Sequence, residues 1–113
     1  MENLELACFQ LISSVGMAKS AFIEAVQEAK KGNFDQANAK IEEGDQAFVQ
    51  GHGAHAGLIQ QEAAGNSVTV TMLLMHAEDQ LMSAETIKVM ALELIENYKR
   101  IQTIEEKIKK SLS

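Results

Sequence analysis

Proline and tryptophan are missing from this chain, and cysteine occurs once. Without proline, nothing in the covalent backbone forces a kink or break inside a helix. With a single thiol, Cys8, no disulfide can form within the chain, and a reducing compartment is its natural home. Aromatics are few (four Phe and one Tyr), so the core must be built from Ala, Leu, Ile, Val and Met. Basic residues are scarce as well, 10 against 16 acidic, for a net charge of −6. There is no cationic stripe outside the C-terminal end, which argues against a nucleic-acid surface. The opening MENLELACFQ is acidic and lacks the basic start and apolar run of a signal peptide. The longest apolar runs fall short of the roughly 20 residues that span a bilayer. These absences lead to the expectation of a cytoplasmic protein with no inserted segment.

What is present is helical material. The 113 residues, 46% hydrophobic and 23% charged, suit one ordinary globular domain with no internal boundary, repeat or low-complexity tract. Two short stretches punctuate it: KKGNFDQ around Gly32 and Asn33, and AAGNSVTV around Gly65, Asn66 and Ser67. Gly and Asn readily take left-handed cap conformations, and Ser67 is placed to cap the third helix. The expectation is three helices, roughly 3–31, 34–63 and 67–110.

The first segment carries a seam of Leu4, Cys8, Leu11, Val15, Ala18, Phe22, Ala25 and Ala29, in steps of four and three. The second repeats that rhythm through Phe34, Ala37, Ile41, Gly44, Phe48, Gly51, His55 and Leu58. Its Gly51, Gly53 and Gly57 weaken a solitary helix by roughly 1 kcal/mol each, so they point either to a closely packed neighbouring backbone or to a local kink. The third segment has two apolar stripes. One runs through Val68, Met72, Met75, Asp79, Met82, Thr86 and Val89. The other runs through Val70, Leu74, Ala77, Leu81, Ala84, Ile87, Ala91, Leu94, Tyr98, Ile101 and Ile108. Two apolar faces exceed what a single three-helix protomer covers, so self-association is expected. The terminal Lys107, Lys109 and Lys110 suit the negative end of a helix dipole.

Chemistry concentrates in MHAEDQLM, residues 75–82. His76 and Asp79 share one helix face, and Gln80 lies one turn beyond His76. An ionised carboxylate on an apolar seam calls for a partner or a metal. A nucleophilic triad has no Gly-x-Ser-x-Gly elbow, and Cys8 sits on a core seam. A zinc site lacks His-Glu-x-x-His; His52 and His55 in GHGAH could add ligands, but no di-iron pattern is completed. A third reading is a phosphorylated histidine, since neutral imidazole is a good nucleophile near pH 7. A rival from another class is a non-catalytic coiled-coil adaptor whose His and Asp set register. A metal-binding helical bundle is the other alternative.

MHAEDQLMSAE, in this length and three-helix setting, resembles the active-site segment of the lactose/cellobiose-type IIA components of the bacterial phosphoenolpyruvate-dependent sugar phosphotransferase system. That segment typically reads His-Ala-Gln-Asp-His-Leu-Met after an apolar residue, and the resemblance extends over nearly the whole chain as a single IIA domain, 1–113. It implies an all-α, antiparallel three-helix protomer assembled as a homotrimeric nine-helix bundle. By the same resemblance, His76 accepts a phosphoryl group from the histidine phosphocarrier protein and passes it to the cysteine of a IIB component. Asp79 matches the aspartate that meets its two symmetry mates around one structural Mg2+ per trimer. Two positions depart from the pattern: Glu78 stands where Gln is common, and Gln80 stands where many members have a second histidine. Gln80 can hydrogen-bond to the phosphate or the ring but cannot become a cation. Met75, Leu81 and Met82 lie near His76 and are candidates to meet a docking carrier where they are exposed at the cleft; core packing is the other role, and the commoner one, for each. Nothing in these residues encodes the transported disaccharide, because a IIA component hands on phosphate without touching sugar.

Overall fold

The computed structural model describes residues 2–113, with side-chain environments from residue 3 onward. It contains three helices and, among the described residues, no strand: α1 Glu2–Lys30, α2 Phe34–Ala63 and α3 Met72–Leu112. α1 and α2 run antiparallel, because Phe22 packs on Gly44 while Val15 and Leu11 pack on Gly51. α2 and α3 are antiparallel too, with Lys88 Nζ 2.6 Å from Asp45 Oδ1 and His55 Nε2 2.8 Å from Glu78 Oε1. α1 packs along both partners, whereas α2 and α3 touch each other only sparsely.

Both interhelical breaks use the same device. Gly32 and Gly65 adopt φ of 87° and 92°, the left-handed conformation that closes a helix C-terminus. The following asparagines then donate their backbone N–H groups to the ends of the helices just finished, Asn33 to Glu28 O at 2.9 Å and Asn66 to Gln61 O at 3.1 Å. The glycines alone carry the positive φ; Asn33 keeps φ −90°.

Every position of the α1 seam from Cys8 to Ala29 is buried, and α2 buries Ala37, Ile41, Gly44 and Gly51. The core divides into two clusters along the bundle. One is built on Phe22, Ala25, Ile41 and Ile95, the other on Leu11, Val15, Leu74 and Leu81, and Phe48 joins them. Of the two α3 stripes, the second faces this core through Leu74, Ala77, Leu81, Ala84 and Ala91. At its far end Ile95 takes the buried place, while Leu94, Ile101 and Ile108 are exposed, as is Val70 at the start. The first stripe is uncovered: Met72, Met75, Met82 and Val89 are 85%, 61%, 63% and 60% exposed.

Helix α3 begins five residues later than the expected start at 67. Its cap is Thr71, not Ser67: the Thr71 hydroxyl accepts a hydrogen bond from the Leu74 N–H at 3.1 Å, with Thr71 in extended backbone. The run Val68–Thr69–Val70–Thr71 is entirely β-branched, which costs side-chain freedom in a helix and favours extended backbone. α1 differs from expectation in another respect. Over Asn3–Lys30 an 18-residue window reaches a mean hydropathy of 1.4, enough by length and composition to cross a membrane. Single polar residues such as Gln10, Ser13 and Ser14 interrupt its apolar runs without lowering the average. Packing against both other helices accounts for the buried third of that window, while Phe9, Met17 and Ile23 on the same helix stay exposed.

The protomer is a rod. It measures 69 × 21 × 18 Å with a radius of gyration of 18.7 Å, against about 13 Å for a compact chain of this length. α3 alone is 41 residues, and from Arg100 to Ser113 every residue is exposed.

Candidate functional site

The later start of α3 changes where the chemistry sits. With Thr71 as cap, His76 falls in the second helical turn, close to the positive end of the helix dipole, where added negative charge is favoured. His76 and Asp79 are both exposed, and Glu78 and Gln80 are half-buried on the sides that face the other helices. A single turn thus presents an accessible imidazole and carboxylate on one side while its neighbours tie the turn down.

Glu78 is tied to α2. Its Oε1 lies 2.8 Å from His55 Nε2, so His55, on the α2 seam, is an interhelical pin. Gln80 is tied to α1: its Oε1 accepts a hydrogen bond from Lys19 Nζ at 3.1 Å. Neither tie was foreseen in the sequence. Lys19 left a signal, being the sole basic residue among the first 29 and flanking the buried Ala18. The Glu78–His55 pair left none, because spacing within one helix says nothing about register against another.

Asp79 lies in the middle of the uncovered stripe, between Met75 and Met82. Among the described residues no cation comes within ion-pair distance of it. It lines an open groove of about 450 Å³ between α3 and the end of α2, together with Ile59, Val70, Met75, Glu78 and Met82. Met75 and Met82 are thus accessible, as the docking role requires. Leu81 is not: it points the opposite way, into the core, and cannot meet a carrier.

The remaining reactive groups are occupied or isolated. Cys8 is fully buried, and its thiol is held above its usual titration range first by burial and then by the charges of Glu78 and Glu5. It therefore stays protonated and inert near neutral pH. His52 and His55 have ring centroids 6.4 Å apart, with His52 also near Phe48 at 6.0 Å. No group of three potential metal-binding side chains comes together among the described residues. A metal-binding bundle built within one protomer on GHGAH thus lacks a third ligand, and its His55 is already engaged by Glu78.

Residues 6–99 match the family described as "PTS system, Lactose/Cellobiose specific IIA subunit", and the chain belongs to that family. It is 38% identical over 100 residues to the lichenan-specific phosphotransferase enzyme IIA component of Bacillus subtilis, covering 88% of this chain and 91% of that protein. It is 35% identical over 99 residues to the lactose-specific EIIA component of Staphylococcus aureus, covering 88% and 96%. The crystal structure of the cellobiose-specific enzyme IIA of Bacillus anthracis superimposes with a TM-score of 0.85 at 38% identity, covering 87% of this chain and 90% of that one. The protein is therefore a phosphotransferase component of a sugar uptake system, and as such works with a phosphocarrier and a IIB component.

Proposed function

We propose that His76 is the phosphoryl-carrying residue. One of its ring nitrogens attacks the phosphorus of the carrier's phosphohistidine; the new N–P bond forms as the carrier's N–P bond breaks, and the carrier's imidazole leaves. In the second transfer the IIB cysteine thiolate attacks the same phosphorus, an S–P bond forms, and His76 departs as free imidazole. No water takes part in either step, so the job of the site is alignment and charge compensation rather than activation of a solvent nucleophile. The observation that carries this reading is the placement of His76: exposed, in the second turn of α3, on a turn fixed by Thr71, His55 and Lys19. Exposed Met75 and Met82 beside it suit a brief apolar docking contact with either partner. A cytoplasmic location follows from exchange with soluble partners and fits the single, buried thiol.

We further infer a homotrimer around the uncovered α3 stripe. Its exposed methionines and Val89, the groove beside Asp79, and a second groove of about 440 Å³ between α1 and α3 lined by Phe22, Ile23, Ile87 and Met90 all support partner helices there. Asp79 would then bring three carboxylates to one axis. Among the described residues no three potential ligands come together within one protomer, so a donor set for Mg2+ would belong to the assembly. Hard carboxylate oxygens are the right chemistry for it. When bound, the ion supplies charge neutralisation at the axis, and the transfer itself is carried by His76. The sugar carried by the system is one of the lactose/cellobiose-type disaccharides.

The test is incubation with phosphoenolpyruvate, the general phosphotransferase enzyme and the histidine carrier, followed by intact-mass measurement. One acid-labile phosphoryl group per chain is expected. His76→Ala should carry none while keeping its helicity, and His52→Ala should be labelled fully. Undiminished labelling of His76→Ala would overturn the assignment.

A further inference from the structure

Lys19 is a cation without a counter-ion. It is half-buried on α1, and among the described residues no carboxylate lies within ion-pair distance of it. Its one polar partner among the described residues is Gln80 Oε1, at 3.1 Å. Holding an ammonium partly out of water against a neutral amide is unfavourable unless an anion arrives to use it. The surrounding turn shows where that anion arrives. A phosphoryl group on His76 adds about 1.5 to 2 negative charges, beside Asp79 and the already paired Glu78.

The hydrogen bond also settles the orientation of Gln80. A lysine ammonium has donors only, so the Gln80 atom facing it must be the carbonyl oxygen, and the amide NH2 is turned away from Lys19. Side chains on a helix lean toward its N-terminus, so Gln80 leans back over the turn that carries His76. Lys19 therefore presents Gln80 as a donor toward the histidine one turn earlier, and polarises that donor with its own charge. Resting on the reading that His76 carries the phosphoryl group, we propose that Lys19 is a positioning residue for phosphohistidine. It locks Gln80 as a hydrogen-bond donor to the phosphoryl oxygens and supplies, through that amide, positive charge that Gln80 cannot carry itself.

The pair is tested in the full chain by phosphorylation to equilibrium with the histidine carrier. The ratio of phosphorylated protein to phosphorylated carrier is read by intact mass, the 31P shift of phospho-His76 by NMR, and folding by thermal melts. Lys19→Met should shift the equilibrium toward the carrier by roughly five- to tenfold, the scale of one net hydrogen bond. It should also move the 31P signal, and Lys19→Arg should restore both. Gln80→Glu keeps shape and the contact to Lys19 but offers only acceptors, and should lose at least as much as Lys19→Met. If Lys19→Met fails to fold, Lys19→Gln, which lacks the charge, is read in its place. An uncharged Lys19 variant with the wild-type equilibrium and 31P shift overturns the proposal. So does Lys19→Arg as impaired as Lys19→Met, or Gln80→Glu as effective as wild type. Wild-type protein that takes no label, or takes it away from His76, would instead remove the function on which the proposal rests.

Discussion

At the scale of single residues, the glycines of α2 separate into two kinds that the sequence left together. A Cβ on Gly44 would lie 2.4 Å from the Phe22 ring, and one on Gly51 would lie 2.9 Å from Val15, whereas Gly53 and Gly57 face open space. The first pair exist for close approach of α1, and no kink has to be invoked for them. Gly44→Ala should therefore destabilise the protein by about 1–3 kcal/mol, as overpacking does when the neighbour is a ring already buried. Gly53→Ala should stabilise it by roughly 0.5–1 kcal/mol, the ordinary gain of alanine over glycine in a helix. Urea unfolding of the two variants checks this, and opposite signs are the expected result. The same distinction applies to His55 and His52, three residues apart in one helix: the first is engaged by Glu78, the second is exposed beside Phe48.

At the scale of elements, the start of α3 governs the geometry around His76. Thr71 satisfies the Leu74 N–H, and Thr71→Ala should cost about 1 kcal/mol, the usual cost of losing an N-cap. Ser67→Ala, at the expected but unused cap, should change stability by no more than a few tenths of a kcal/mol. Equilibrium unfolding separates the two, and equal losses would place the helix start elsewhere. The interhelical ties matter because α2 and α3 otherwise touch sparsely. His55–Glu78 and Asp45–Lys88 are the polar links that set their register, one at the level of the site and one three turns away.

At the scale of the whole molecule, the rod leaves the Met72–Val89 stripe of α3 bare, and that stripe is what the proposed trimer would cover. If three Asp79 carboxylates meet about 5 Å apart, each pair repels by roughly 3 kcal/mol at an effective dielectric of 20, on the order of 10 kcal/mol in all. A shared divalent cation would offset that repulsion. Asp79→Leu removes the repulsion and replaces an ionic centre with apolar packing between Met75 and Met82, a change that is often neutral or stabilising. It should remain trimeric in sedimentation, melt at or above the wild-type temperature, and ignore chelators. The wild type should lose melting temperature when magnesium is chelated near neutral pH. A monomeric Asp79→Leu, or a wild type indifferent to chelation, would remove Asp79 from the axis.

The sequence by itself determined the three helices, their glycine-closed ends and most of the buried face of α1. Those features follow from local propensity and from a 3.6-residue period that any helix must obey. It also determined that α3 has more apolar surface than one protomer covers, and it singled out His76 and Asp79 on one face. Tertiary structure alone decided which α3 stripe is core, and with it that Leu81 is buried while Met75 and Met82 are accessible. Both stripes carry enough apolar residues to be core, and the choice is made only when another helix packs on one of them. The start of α3 turned on a competition between two possible caps, settled by a β-branched run that prefers extended backbone. Lys19 with Gln80 and His55 with Glu78 are contacts between helices, and their register depends on how Phe22 meets Gly44 and Val15 meets Gly51. No periodicity within a single helix contains that information, because it is set by packing between surfaces.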